Sequence, residues 1–527
     1  MFPDLVATLA GSDAERAPDD AAYRAALKEA ALILLFRLLF VLYAEARQLL
    51  PTDHDGYRGY SLRQLQDDAA RAIDEGRALS ARTRSWWPRI TTLFAAIAGG
   101  NPDLGLPAYN GGLFDDTLHP MLSRVSLDDA ALVRIIDALS RVGVDGARRA
   151  INYRDLSVQQ LGAIYEVLLA RELVAKGGGV AVEPDDTLRH SIGAFYTNDA
   201  LVSLILAHAV VPQIEARRQA FYARAEALRG EDRWPLPQLL AELAAHDAAE
   251  SFLRLRVCDP AMGSGHFLVA LVDLLATETL AAMADAADLP GWNGYRSPLA
   301  AELDAVREKI RTEAAEQGWP LRDEQLDDKA LIRRIVLKRV VYGVDQNPLA
   351  VELAKLALWL HSFTVGAPLS FLDHHLRCGD SLMGETVGRV RAELMEQYGL
   401  ALPVGDVLGA SEGMRRIEDL LDTDLSEAKQ SQTIFAEVEA ITRPLRALLD
   451  LYHARRWLPP TDKAGKVGLG AFFGGSTGRL WTSRPVRRPR RPRRKTRRWR
   501  PSCASRRRCR SATVLTPSWP GWPAPAR

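Results

Sequence analysis

The sequence predicts an α/β protein whose core is a partial doubly wound, Rossmann-like sheet. The prediction depends on three segments. An apolar stretch, a turn containing glycines and a run with helical spacing follow one another over residues 253–276. A second apolar stretch, 339–345, ends in an acid ahead of a helical run, and a third stretch with an acid spans 376–382. Strands that alternate with helices pair in parallel, so their carboxyl ends should meet at one edge of a sheet. We expect this sheet to begin within residues 186–390, with the Asp259 turn at its centre.

The 527 residues are enough for several domains, and changes in composition divide the chain into four regions. Residues 1–150 are predicted to form a large helical domain, 151–390 the sheet-containing core, 391–467 a helical insertion and 468–527 a disordered, Arg/Pro-rich tail. Such a tail cannot bury a hydrophobic core. Its composition resembles a GC-rich reading frame that has been shifted, and the alternative is a nucleic-acid-binding arm.

The amino-terminal region is organised around a long apolar segment. Residues 21–50 carry apolar side chains on nearly every face, which is typical of a buried central helix that Pro51 then stops. The strongly apolar run 32–43 is short and contains Arg37, so it predicts a buried helix and not a membrane span. The first residues lack the basic start of a signal peptide, and we expect a cytoplasmic protein.

Two further helices are predicted before the glycine turn. Residues 155–173 carry leucines and an isoleucine at core spacing, and 177–179 is a run of three glycines that predicts a flexible break. A helix is also predicted over 199–210, with Thr197 or Asn198 as its amino-terminal cap.

The turn from Asp259 to Gly265 is the feature most indicative of function. Glycines allow a backbone to approach a ligand closely, and the helix that follows offers free N–H groups. The turn lacks the third glycine of a dinucleotide motif and the lysine of a phosphate-binding loop. The Asp259 carboxylate suits a ligand with a cationic amino group, such as the methionine end of S-adenosylmethionine. An ordinary tight turn is the alternative.

Acids also end the second and third predicted strands, at Asp345 and Asp380. In doubly wound folds an acid in the position of Asp345 commonly binds ribose hydroxyl groups, although a capping acid in a βα loop has the same pattern. Asn347 and Pro348 are typical of the cap and the first position of the helix that follows.

Charge is distributed very unevenly along the chain. From Arg479 to the end there are seventeen Lys and Arg residues and no Asp or Glu. Removing them from the 68 basic residues leaves 51 against 66 acidic ones, so positions 1–478 have a net charge of −15. The tail alone therefore predicts salt-sensitive, sequence-independent binding to DNA.

The cysteines and histidines predict neither a disulfide framework nor a metal site. The four cysteines show no paired spacing, which fits a reducing cytoplasm. His374, His375 and Cys378 lie close together in the sequence, but no second cluster completes a metal site.

Four motifs in one order resemble those of the adenine-specific DNA methyltransferases of the gamma class, above all the large type IIG restriction–modification and phage-defence forms. The resemblance covers roughly residues 30–460 and includes a similar lead-in at 152–157. Asn198 stands where the first family motif has proline. The motifs read GAFYT at 193–197, DPAMGSGHFL at 259–268, GVDQNPLA at 343–350 and GDSL at 379–382.

The resemblance implies that the chain binds S-adenosylmethionine and acts on double-stranded DNA, with other subunits of such a system as partners. The glycine turn would hold the methionine part, Asp345 the ribose hydroxyl groups and Asp380 the amino group of the cofactor's adenine. The aromatic motif would close over the cofactor. The residues so implied are Phe195, Tyr196, Thr197, Asp259, Pro260, Ala261, Gly263, Gly265, Asp345 and Asp380.

The family's catalytic motif, [NDS]-P-P-[YFW], is missing after the third motif. Its polar side chain and a proline carbonyl would accept hydrogen bonds from the target amine, and its aromatic ring would stack on a flipped adenine. The nearest sequence, WLPPT at 457–461, has the two prolines without the Asn or the aromatic residue. No catalytic residue is therefore assigned, and the chain is predicted to be inactive alone.

Two other functions remain open at this point. The chain could be a non-catalytic subunit that binds cofactor or DNA and needs a partner chain. It could also belong to a methyltransferase that acts on a protein or a small molecule. Only the resemblance favours DNA as the substrate.

Overall fold

The structure is a computed structural model. It describes residues 1–77, 80–109, 112–144, 147–154, 171–184, 197–230, 234–317, 321, 323–383, 385–398 and 405–457. The predicted disordered tail and the WLPPT sequence, apart from Trp457, lie outside these residues. Disorder of the tail stays a prediction.

Helices predominate in the described chain before the glycine turn, with two short β-hairpins between them. The helices are α1 (Phe2–Ser12), α2 (Ala21–Ala46), α3 (Asp55–Arg58), α4 (Leu62–Asp74), α5 (Trp86–Gly99), α6 (Asp129–Ser140), α7 (Asp199–Ala209), α8 (Val211–Arg229), α9 (Leu236–Ala245) and α10 (Ala248–Phe252). The hairpin strands are β1 (Arg141–Val144), β2 (Ala147–Ala150), β3 (Arg171–Lys176) and β4 (Gly179–Pro184).

From the glycine turn onwards, strands alternate with helices until the chain becomes helical again. The strands are β5 (Val257–Asp259), β6 (Val341–Asp345) and β7 (Leu376–Cys378). The helices are α11 (His266–Ala287), α12 (Pro298–Gln317), α13 (Asp328–Arg339), α14 (Pro348–His361), α15 (Val387–Tyr398), α16 (Gly405–Asp419) and α17 (Leu425–Trp457).

The apolar amino-terminal segment forms the buried helix α2, but the helix is shorter than predicted. It ends at Ala46, and Gln48 follows with a positive φ of 57°, so the chain leaves the helix before it reaches Pro51. Arg37 is only 3% exposed. It donates hydrogen bonds to the Leu113 carbonyl and the Asp116 carboxylate, both at 2.7 Å, which compensates for burying a charge.

The prediction for residues 155–173 is wrong at its end. Residues 155–170 lie outside the described residues, and 171–173 belong to strand β3 and not to a helix. The glycine run is the tight turn that joins β3 to β4, with Gly177 and Gly178 both at positive φ. A short apolar stretch fits a helix or a strand equally well, and the turn that glycine permits decided in favour of a hairpin.

The three predicted strands around the glycine turn form one parallel sheet in the order β5–β6–β7. Val257 lies opposite Val341, and Val344 lies opposite Arg377, so the strands run in register with their carboxyl ends together. We expected the glycine turn at the centre of the sheet. In the described residues that expectation is wrong, because β6 pairs on both sides and β5 is an edge strand.

One hydrophobic cluster extends from the amino-terminal helices to the sheet. Phe40 of α2 packs against Phe114 with ring centroids 5.3 Å apart and against Phe363, beyond α14, at 5.8 Å. Tyr109 contacts the same Phe363 ring at 4.9 Å. The large helical region is thus packed directly on the helices that flank the sheet. The proposed domain boundaries, including the one at residue 150, stay predictions.

Two described segments are long and apolar enough to cross a membrane when only length and composition are considered. They are residues 199–229, which comprise α7 and α8, and helix α11. A core helix of a soluble protein passes the same test. Leu268, Leu271, Val272 and Leu275 of α11 are buried in the hydrophobic cluster.

Candidate functional site

Three acids follow three neighbouring parallel strands at the same edge of the sheet. Asp259 is the last residue of β5, Asp345 is the last residue of β6, and Asp380 follows β7 by two positions. All three side chains are half-buried. The structure therefore brings together three residues that span more than a hundred positions of the sequence, at the edge where open α/β sheets bind ligands.

Asp345 connects the second strand to the glycine turn. One carboxylate oxygen accepts the N–H of Gly263 at 2.9 Å, and the other accepts the N–H of Asn347 at 2.8 Å. The backbone adds a bond from the N–H of Met262 to the Val344 carbonyl at 3.0 Å. A carboxylate has about four acceptor positions, so Asp345 retains acceptors for a ligand hydroxyl group.

Asp259 lies in an environment that disfavours its charge. Burial raises the pKa of its carboxyl group above the ordinary value, and the nearby Asp345 carboxylate raises it further. The N–H of Ala261, which donates to Asp259 at 3.0 Å, acts in the opposite direction. A bound cation would offset both the burial and the repulsion from Asp345, because its positive charge would stabilise the ionised Asp259 carboxylate in place of solvating water.

Asp380 is held by a local turn. Its carboxylate accepts the N–H groups of Leu382 at 2.9 Å and Met383 at 3.2 Å. The N–H of Gly379 donates to the Asp345 carbonyl at 2.8 Å, which ties this turn to the end of β6. Leu382 is 90% exposed, so the turn presents an apolar side chain to solvent beside the acid.

Backbone conformation and close packing explain why positions 263 and 265 of the turn are glycine. Gly263 and Gly265 have φ angles of 53° and 81°, a region that side chains disfavour. A Cβ on Gly265 would also lie 3.1 Å from the Cβ of Ala354 in α14. Helix α11 therefore starts close against α14, with the free N–H groups of its first turn at the site. Pro260 and Ala261 lie on the outside of the turn and are exposed.

The aromatic motif can be located only at its end. Phe195 and Tyr196 lie outside the described residues, and Thr197 is exposed. Asn198 is the cap of α7, since its side chain accepts the N–H of Ala200 at 2.8 Å. Asp199 lies 2.7 Å from Nε2 of His266, the first residue of α11. This contact, which the sequence did not reveal, fixes the end of the motif beside the glycine turn.

His374 and His375 lie in the interior instead of on a ligand-binding surface. His375 contacts the Tyr342 ring at 4.0 Å, and His374 stacks on Phe371 at 5.5 Å. Within the described residues, no group of three or more His, Cys, Asp or Glu side chains is arranged to hold a metal ion. Neither Cys258 nor Cys378 forms a disulfide.

A cleft of about 230 Å³ lies away from the glycine turn. Its walls come from residues 48–54, from Gly105, Pro107 and Tyr109, and from residues that include Gln325 and Gly366. None of the predicted site residues that the structure describes lines it. The candidate site is therefore defined by the acids and backbone groups at the sheet edge and not by this cleft.

The chain is similar to a protein of Methanocaldococcus jannaschii that carries the provisional name of a type II restriction enzyme and methyltransferase. The two sequences are 24% identical over 391 residues, which cover 68% of this chain. The same stretch covers only 27% of the relative, so the chain corresponds to about a quarter of that protein's length. No protein-family model matches the chain, and no solved structure does.

Gly343→Ala is expected to lower the free energy of unfolding by about 1–3 kcal/mol, because it overpacks the centre of the sheet. An added Cβ would fall on Sδ of Met262 and lie 3.0 Å from Leu268. Gly409→Ala is the matched control, since no atom of the described residues lies within 4 Å of a Cβ there. In that helical position alanine should stabilise by about 0.5–1 kcal/mol. Urea denaturation measures the free energy of unfolding of both variants. Equal stability of the two variants would contradict the packing argument.

Proposed function

We propose that the chain is the S-adenosylmethionine-binding part of a DNA adenine-N6 methyltransferase of a restriction–modification or phage-defence system. The observation that carries the proposal is the set of three acids at the carboxyl ends of adjacent parallel strands, with Asp345 hydrogen-bonded to the glycine turn. The similarity to a protein named as a restriction enzyme and methyltransferase supports the same class.

The residues fit the chemical groups of the cofactor. A carboxylate with a raised pKa, Asp259, suits the cationic methionine end. Asp345 has acceptors left for two ribose hydroxyl groups, and Asp380 can accept the adenine amine. When bound, S-adenosylmethionine supplies an activated methyl group. The protein residues then need only to bind and orient it, because the electrophile belongs to the cofactor.

Methyl transfer also requires an acceptor site that this sequence does not encode in recognisable form. No Asn-Pro-Pro-aromatic sequence follows Asp380. The missing motif is compatible with a second candidate function, a cofactor- and DNA-binding subunit that acts with a partner chain.

Calorimetric titration with S-adenosylmethionine tests the proposal. We expect weak binding by the chain, and Asp259→Ala and Asp345→Ala should each weaken it by roughly 10–100-fold, since each removes a charged hydrogen-bonding group worth about 1.5–3 kcal/mol. That loss takes a weak site below detection. Asp288→Ala, which removes an exposed carboxylate at the end of α11, is the matched control and should bind normally. No binding by the unaltered chain would refute the proposal.

A second measurement tests whether the chain can transfer methyl groups on its own, which neither candidate function predicts. Radiolabelled methyl groups from S-adenosylmethionine should not enter duplex DNA when the purified chain acts alone, because nothing recognisable holds the target amine. Incorporation of label would show that the chain is a complete enzyme and would exclude the non-catalytic subunit.

A further inference from the structure

We infer that Met262 is a positioning residue that fixes the glycine turn against the sheet and thereby sets the geometry of the cofactor site. The Met262 side chain is buried between the turn and the sheet. The consequence of this role for the cofactor rests on the proposed function, whereas its effect on the turn does not.

The backbone of Met262 joins the turn to the central strand. Its N–H donates to the Val344 carbonyl at 3.0 Å, and its carbonyl accepts the N–H of Gly265 at 2.8 Å. The next residue, Gly263, donates to Asp345. The placement of Met262 therefore decides where the Gly263 N–H points and which oxygen of Asp345 it occupies.

The side chain of Met262 is inserted where four elements meet. It is 4% exposed, and its Sδ occupies the space that a Cβ on Gly343 would need. Around the same point lie Leu268 of α11, at 3.0 Å, and Leu376 of β7, at 3.1 Å. The absence of a side chain at Gly343 thus creates a socket on β6, and Met262 fills it from the turn.

This arrangement couples packing to ligand geometry. Gly263 and Gly265 adopt backbone conformations that glycine also leaves readily, so the turn has little intrinsic rigidity. The side chain of Met262 is the apolar anchor of the turn, since Pro260 and Ala261 lie on its exposed side. A chain that lost this anchor would keep its strands but would hold the Gly263 N–H and the Asp345 carboxylate less firmly.

Ordinary core packing is the alternative, and it predicts a loss of stability without a local effect on the turn. Leu376→Ala provides the comparison, because Leu376 contacts the same point on Gly343 but belongs to β7 and not to the turn. Met262→Ala and Leu376→Ala each remove a buried apolar side chain that packs over Gly343.

Amide hydrogen exchange of the ligand-free chain tests the inference under native conditions. Met262→Ala should raise the exchange rate at Gly263 by about tenfold or more through local opening, while Leu376→Ala leaves it within about threefold. Met262→Leu, which restores the volume, should restore the protection. Met262→Val gives the same comparison should the alanine variant fail to fold. Equal exchange at Gly263 in the Met262→Ala and Leu376→Ala variants would overturn the inference.

Calorimetry extends the test to the cofactor. Met262→Ala should weaken S-adenosylmethionine binding by about tenfold, since a small displacement of binding groups is costly, and Met262→Leu should recover it. If the unaltered chain binds no S-adenosylmethionine, the proposed function fails, but the exchange rate at Gly263 still decides the role of Met262. Unchanged affinity in a Met262→Ala variant with an exposed Gly263 amide would overturn the link to the site.

Discussion

Asp422→Ala is expected to lower the free energy of unfolding by about 3–5 kcal/mol, the largest single-residue effect that we foresee. Asp422 and Lys338 of α13 are both fully buried, and they form an ion pair at 2.8 Å. The carboxylate also accepts the N–H of Phe371 at 2.8 Å and the hydroxyl of Ser431 at 2.7 Å. Removing it would leave an ammonium group, a backbone donor and a hydroxyl group buried without acceptors.

Urea denaturation with two companion variants isolates the charge. Asp422 has a φ of 52°, which alanine tolerates poorly, whereas asparagine tolerates it. A large loss in Asp422→Asn would therefore report the unpaired ammonium. Adding Lys338→Met to Asp422→Ala should recover part of the stability. The control Lys176→Ala removes an exposed pair with Glu183 and should cost less than about 1 kcal/mol. A similarly small loss in Asp422→Ala would refute the prediction.

Acid is expected to destabilise the protein through His374 and His375. Burial lowers the pKa of His375 to about 3 and that of His374 well below its ordinary value of 6.5. The positive charge of Lys338 lowers both further, as do Arg256 for His375 and Arg377 for His374. Below pH 6.5 the unfolded chain binds these protons and the folded chain does not. Stability should therefore fall by roughly 2 kcal/mol for each histidine between pH 7 and pH 5.

The buried position of both rings is what makes the effect large. Their ring nitrogens are buried without a hydrogen-bond partner in the described residues. The backbone of Leu337 and Val341 lies near His375 and offsets part of the lowering of its pKa. Neither ring nitrogen of His375 makes a hydrogen bond of good geometry with the described residues. Among the described neighbours of the two rings, no group therefore stabilises a protonated ring enough to outweigh the cost of burying its charge.

Denaturation midpoints at pH 7 and pH 5 test this prediction. His374→Leu and His375→Leu should each reduce the pH dependence, while His208→Gln, in an exposed position of α7, should not. Glu45 has a pKa raised to about 7 by burial, so it favours the folded state at lower pH and acts in the opposite direction. Glu45 is present in every variant, so its contribution cancels when the pH dependence of a histidine variant is compared with that of the unaltered chain. An unchanged pH dependence in the His374→Leu, His375→Leu double variant would refute the assignment.

Local patterns predicted the sheet edge well. Strand, turn and helix signals near Asp259, Asp345 and Asp380 all led to the observed parallel strands. Asn347 caps α14 by accepting the N–H of Leu349 at 3.1 Å, and Pro348 is its first residue, as predicted. These features depend on residues within a few positions of one another, which is why the sequence alone sufficed for them.

Local patterns failed where a short segment had two acceptable structures. Residues 171–173 fit a helix by spacing, yet they pair with β4 because Gly177 and Gly178 permit a tight turn. We likewise expected β5, which precedes the glycine turn, at the centre of the sheet, whereas strand pairing places β6 between β5 and β7. Pairing is a property of two strands, and neither strand's sequence encodes it separately.

The residues that carry the chemistry at the sheet edge could thus be identified from the sequence. The contacts that hold them in place became visible only in the folded structure. Residue types and spacing identified the three acids and the glycines. They did not reveal that Met262 fills the space over Gly343, or that Lys338 pairs with Asp422 across 84 positions. Such contacts depend on the shape left between packed elements, and burial then turns small mismatches of volume or charge into large energies. That shape exists only once helices and strands have come together.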